Sequence, residues 1–214
     1  MRLEVFVLVF PVLLFSVVAH EYAHARAAVA QGDPTPAMLG RLTMNPLPHI
    51  DPVGSVLVPL ALLLLDAGFL FGWARPVPTI PRNYRNYRRG DIVVSSAGVL
   101  TNFALAAVFT LALALLGLAR DALPVDVRDP LFWLAQYGIL INLVLAVFNL
   151  LPVPPLDGSH LLYHLLPPAW GARYRAMGHA YGMWLVAVVV IFAGRVVLAP
   201  AFWLFALARQ VAGL

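Results

Sequence analysis

The chain has 214 residues, 62% of them hydrophobic and 11% charged, with a mean hydropathy of +0.85. A soluble domain carries about 25% charged residues, so the composition excludes an ordinary soluble fold. The net charge of +4 speaks to membrane topology rather than to nucleic acid, and the lack of cysteine leaves only His, Asp and Glu to hold a metal. What remains is an all-α polytopic membrane protein, with length for about five to six transmembrane helices of roughly 20 residues each.

A first span is expected from about Leu3 to Ala30, with Pro11 as a tolerated kink site. Arg2, the apolar run and Ala23-His24-Ala25 resemble a signal peptide, but Glu4 spoils the basic end and further spans follow. Gln31 to Asp51 is polar. Within it Met38 to Asn45 is expected to be extended, and Asn45-Pro46-Leu47-Pro48 cannot be helix interior. Val53 to Leu65 is a short apolar stretch ended by Asp66. A helix of that length reaches only about 20 Å, less than the roughly 30 Å of a bilayer core. Residues 53–74 therefore either span as a whole or enter and return, with Asp66 at the tip. Arg75 to Arg89 is a basic, proline-rich loop, with Tyr84 and Tyr87 as interfacial anchors.

A second long span is expected from about Ile92 to Ala119. It opens with small and polar residues that let helices approach closely, among them Gly98 and Asn102. Arg120 to Asp129 is a mildly acidic loop. Leu131 to Leu151 is the next span and carries Gln136, Asn142 and Asn149. It ends at Pro152-Val153-Pro154-Pro155-Leu156-Asp157-Gly158. The tail from Gly178 to Leu214 is apolar, as one long helix or two, and its aromatic residues face lipid or packing. The whole of 1–214 reads as a single integral-membrane domain, with a core of about 1–165 and a helical tail of about 178–214.

One motif carries the chemistry. His20-Glu21-Tyr22-Ala23-His24 sits inside the first apolar span. Histidines four apart share one helix face and can reach one metal ion, with the intervening glutamate placed as general base, the pattern of zinc peptidases. A catalytic zinc usually has three protein ligands and one open position. Asp51, Asp66, Asp157, His49, His160, His164 and His179 are the candidates for the third. Asp157 is favoured, because a helix-breaking proline run before it and Gly158 after it hold its carboxylate at an unwound point. Such backbone at membrane depth belongs beside protein or a wet cavity. Asp157 as a simple helix cap is the plainer alternative. His49 and Asp51 read better as turn residues, and His160 and His164 as interfacial groups or supports of the ligands.

Together, HEYAH at 20–24, AGVLTNF at 97–103 and NLLPVPPLDG at 149–158 resemble the site-2 protease family of intramembrane zinc metalloproteases. NPLPHIDPVG at 45–54 and FGWARPVP at 71–78 are similar to its compact bacterial members. The resemblance implies one Zn²⁺ per chain on His20, His24 and Asp157, with Glu21 as general base. It departs at Val99, where a proline is more usual. By this resemblance the expected function is hydrolysis of peptide bonds in transmembrane-helix substrates, in regulated intramembrane proteolysis. Asn102 and Asn149 are candidates to bind substrate backbone or the oxyanion, or else to hydrogen-bond between helices. An extended Met38 to Asn45 would hold unwound substrate by strand addition.

One zinc requires the ends of the first span and of the 131–151 span at the same depth. The helix between them runs the opposite way, so residues 31–90 must cross an even number of times, as a re-entrant 53–74 does. Arg26, Arg41, Arg75, Arg82, Arg85, Arg88 and Arg89 then share one side. The positive-inside rule makes that side cytoplasmic and puts the zinc nearer to it, with a bacterial plasma membrane as the expected location. The expected partners are a transmembrane protein substrate and the lipid bilayer, with no nucleic acid; the sequence carries no signature of oligomeric state. A metal transporter would string more ligands through the membrane, and a histidine-rich membrane di-iron oxidase would need more histidines, in clusters, than the six scattered here. A catalytically dead scaffold is the remaining rival.

Overall fold

The computed structural model describes residues 3–65 and 72–213, without the side chains of residues 3–5 and His179. Among the described residues every regular element is helical. α1 is Leu3–Gln31, a long apolar helix that accommodates Pro11. The one-turn α2, Thr35–Met38, follows. A π-helical stretch, Pro52–Leu57, leads into α3, Val58–Leu64. Asp51 starts that stretch by accepting from the backbone N–H groups of Val53 and Gly54 at 3.1 and 2.6 Å, the capping role its side chain suits.

α4 is Tyr87–Leu118. It begins five residues before the expected Ile92, because Asn86 Oδ1 caps it through the N–H of Arg89 at 2.9 Å. α5 is Val125–Asn149 and likewise starts early, with Pro130 inside it. The short α6, Asp157–Leu165, follows the proline run, where the Pro154–Pro155 peptide is cis. α7, Pro168–Val188, passes through a π-helical turn at Val189–Ala193 into α8, Gly194–Val211.

Four of these helical stretches are long and apolar enough to cross a membrane: Phe6–Gln31, Tyr87–Leu118, Val125–Asn149 and Ala180–Val211. The composition left room for five to six. The difference lies in two places. The tail continues as one helical stretch, and Pro52–Leu64 is too short to cross. That short segment also returns to where it started. The N–H of Trp73 reaches Gly54 O at 3.2 Å, the N–H of Arg75 reaches His49 O at 2.8 Å, and Ser55 Oγ donates to Trp73 O at 2.8 Å. Entry and exit are thus side by side, which is the re-entrant alternative. Asp66, expected at the tip, lies outside the described residues.

Met38 to Asn45 is not extended, which corrects the sequence reading. It leaves α2 through Gly40 at φ +66° and continues as turns and bends, held by Arg41, whose guanidinium donates to Pro48 O. The strand-addition edge expected there is therefore absent from the described structure. Tyr84 is also no interfacial anchor: it is 6% exposed and packs with Ala28 and Val94.

α4 lies at the centre, against α1, α5, α6 and α8. Its main apolar contact is with α5 and α8, through Ala106, Leu113, Ala135, Ile139, Leu143, Val147 and Ala201. Small residues make the fit. A side chain at Gly138 would collide with the ring of Phe109. The α7–α8 side is open, with Trp184, Phe192 and Trp203 exposed, as expected of lipid-facing aromatics.

Candidate metal centre

His20 and His24 lie one turn apart near the end of α1, and Asp157 is the first residue of α6. The two Nε2 atoms are 2.9 Å apart. Asp157 Oδ2 stands 3.3 Å from His20 Nε2 and 3.2 Å from His24 Nε2. Two ligands at about 2.0–2.1 Å on a tetrahedral ion are separated by roughly 3.3 Å, which the two histidine–aspartate separations match, while the Nε2–Nε2 side is shorter. Among the described residues no other group of three His, Asp or Glu side chains converges in this way.

The hydrogen bonds behind the two rings fix which nitrogen of each faces the cluster. His24 Nδ1 faces the carbonyl of Val94 at 2.7 Å, which can only accept, so the proton sits on Nδ1. His20 Nδ1 faces Asn102 Oδ1 at 2.6 Å. That oxygen is fixed because Asn102 Nδ2 donates to Asn142 Oδ1 at 2.9 Å. With Nδ1 of each ring committed to an acceptor behind it, Nε2 is the atom each ring offers to a metal, beside a carboxylate oxygen that is buried without a hydrogen bond. A metal ion between the two Nε2 atoms and that oxygen would be met by all three at once. The donor set of two imidazoles and one carboxylate suits zinc.

Backbone shape makes the cluster possible. Gly98 of α4 faces the rings, and a Cβ there would stand 2.5 Å from atoms of both His20 and His24. Gly158 plays the same part for the third donor. A side chain on it would run into the carbonyls of Leu150 and Leu151, so glycine lets α6 start against the end of α5. The proline run ends α5 and carries the chain to α6 in seven residues, Leu150 to Leu156. α7 closes over the run, with Tyr174 OH donating to Pro152 O at 3.0 Å.

Glu21 is partly buried beside the cluster. Its Oε2 accepts the backbone N–H of Val77 at 2.7 Å. Asn102 is fully buried, with its oxygen on His20 and its nitrogen on Asn142. Of the two roles open to it, the structure displays the interhelical one. Asn149 is partly buried, and its nitrogen bonds Leu145 O in its own helix at 2.9 Å.

The other ligand candidates lie elsewhere. His49 is 1% exposed and donates through Nε2 to Thr43 O at 3.0 Å, and Asp51 is a cap. His160 Nδ1 and His164 Nε2 go to the two oxygens of Asp91, at 3.1 and 2.7 Å, and tie α6 to the first turns of α4. Asp66 and the side chain of His179 lie outside the described residues.

Four participants carried no sequence signal strong enough to find them. Ser16 Oγ accepts from Asn142 Nδ2 at 2.9 Å and joins α1 to α5. Asp91 receives the two α6 histidines. Val77 contributes only a backbone group. Asp33 is fully buried and accepts from Thr35 N–H, Thr35 Oγ, Ile80 N–H and Asn83 Nδ2. Burial alone would push the Asp33 carboxyl up; its donors, Ile80 first, hold it below the usual carboxylate range. The one usable hint was a polar residue within an apolar span, which applied to Ser16.

Comparison with known proteins agrees with this chemistry. The sequence profile of peptidase family M50 matches residues 121–193. YwhC of Bacillus subtilis (strain 168) is 37% identical over 84% of this chain and 77% of its own length. Rip2 of Mycolicibacterium smegmatis is 33% identical over 87% of this chain and 68% of its own, and Rip2 of Mycobacterium tuberculosis (H37Rv) 34% identical over 94% and 71%. All three carry zinc metalloprotease in their names. No solved structure matches the chain. The chain belongs to peptidase family M50, the site-2 protease family, and is an integral-membrane zinc metalloprotease.

Proposed function

We propose that this metalloprotease cuts transmembrane-helix substrates within the bilayer, with His20, His24 and Asp157 as zinc ligands and Glu21 as general base. The observation that carries the reading is the convergence of Asp157 with His20 and His24 beside Glu21, the last three on a helix long and apolar enough to span. When bound, zinc polarises a peptide carbonyl and lowers the pKa of water to near 7. Glu21 takes the proton from the attacking water and hands it to the leaving nitrogen as the C–N bond breaks. Asn102 and the Val94 carbonyl hold the two rings in the tautomer the site needs. Asn149 remains the candidate for a substrate backbone contact.

The basic residues support an orientation. Arg26, Arg75, Arg82, Arg85, Arg88 and Arg89 lie at or near the end of α1 and the start of α4, the end that carries the centre. The positive-inside rule makes that end cytoplasmic in a bacterial plasma membrane. Substrates of this kind suit regulated intramembrane proteolysis.

The test is cleavage of a tagged single-span reporter by purified protein in detergent. Wild type cleaves, Glu21→Gln does not, and both hold zinc. Cleavage of soluble casein with the single-span reporter untouched would contradict the choice of substrate.

A further inference from the structure

Glu21 is held by something outside its own helix. Residues 72–80 return from the re-entrant segment without regular secondary structure. This strap is pinned at both ends. Trp73 and Arg75 bond back to Gly54 and His49. At the other end the N–H of Ile80 donates to Asp33 Oδ2 at 2.6 Å, and Asn83 Nδ2 donates to Asp33 Oδ1 at 2.9 Å. Between the pins the strap crosses Glu21.

The sequence there is Pro76-Val77-Pro78. Proline has no N–H, so these three residues own a single backbone donor, and it goes to Glu21 Oε2 at 2.7 Å. The prolines also hold the backbone extended at that point, and Val77 is the buried residue among exposed Arg75, Pro76, Pro78 and Ile80. The bond is short and its acceptor is a carboxylate, the stronger class of hydrogen bond. It occupies one carboxylate oxygen and leaves the other to meet a proton. A glutamate has three rotatable side-chain bonds, and a base must sit within hydrogen-bond reach of the proton it takes.

We infer that the strap is the positioning device of the general base: the Val77 N–H fixes the Glu21 carboxylate, and buried Asp33 anchors the strap that carries it. This rests on the reading of Glu21 as base. Val77 and Asp33 act through Glu21 and touch neither zinc nor substrate in this role.

The experiment compares Val77→Pro with Val77→Ala in cleavage of the single-span reporter, with zinc per chain measured for each. Alanine shortens the side chain and keeps the N–H. Proline removes the N–H at a position already biased to extended backbone by Pro78. The expected result is kcat near wild type for Val77→Ala and a loss on the order of 10²-fold for Val77→Pro, the scale of a misplaced catalytic group. KM and zinc content stay unchanged in both.

Equal kcat in the two variants overturns the inference. So does a rise in kcat for Val77→Pro, the behaviour of a strap that obstructs the site. Glu21→Gln in the same assay separates the two readings: if it cleaves like wild type, the assignment of the base fails. If it is dead while the Val77 variants match, only the positioning role fails. Should Val77→Pro not fold, Asp33→Asn decides. The isosteric amide must lose either the Ile80 donor or its other donors. A fall in kcat with KM and zinc kept supports the anchor, and wild-type kcat overturns it.

Discussion

Single atoms at the centre have consequences that can be measured. Asn102 reaches His20 with its only carbonyl oxygen, so Asn102→Leu leaves the ring without an acceptor. Loss of such a partner typically costs 10–100-fold in metal affinity, and competition with a chelator should read a weakening of about that size. Gly98→Ala places a methyl against both rings and should reduce bound zinc more than the same change at Gly194, which has open space around it. Asp33 gives a pH signature. Its folded pKa is lowered, so its contribution to stability is complete above the unfolded carboxyl value of about 4. That contribution is lost as pH falls through the lowered folded value. Thermal unfolding in detergent should find Asp33→Asn clearly less stable than wild type at pH 7, and the gap should narrow below pH 4.

At the scale of elements, the centre depends on where α6 starts. The proline run stops α5, Gly158 lets the next helix begin against its end, and the Asp91–His160–His164 tie fixes α6 to α4. Asp91→Ala removes the shared acceptor and should lower zinc affinity without touching a ligand; chelator competition checks it. Much of this was legible in the sequence. HEYAH supplied two donors at helical spacing, and the proline run marked Asp157. What escaped was what depends on a partner far along the chain. His160 and His164 were visible as a pair, but Asp91, 69 and 73 residues away, was not. Val77 had no side-chain chemistry to read. Met38 to Asn45 looked extended because its short run has no helical period, and Gly40 with the Arg41–Pro48 contact folds it into turns instead.

For the whole molecule, the parity argument is the strongest deduction from sequence. Two helix ends that share a metal must lie at one depth, and α4 runs back between them, so the intervening chain cannot cross once. The bonds from Trp73 and Arg75 to Gly54 and His49 agree with that demand. The number of spans was less legible. Apolar length shows what is able to cross, not where a helix continues through a π turn, as it does at Val189–Ala193. Single cysteines at the exposed positions 34 and 85 should label from the same face of the membrane in sealed vesicles, since Gln31 O and the N–H of Arg85 are 2.8 Å apart. Labelling from opposite faces would break the topology and the shared site with it.

The central claim is that His20, His24 and Asp157 hold one catalytic zinc, and its most direct test is zinc per chain by elemental analysis, wild type beside Asp157→Ala. The account predicts close to one zinc in wild type and a clear loss in the variant. Zinc retained in full by Asp157→Ala would contradict it and place the third ligand elsewhere.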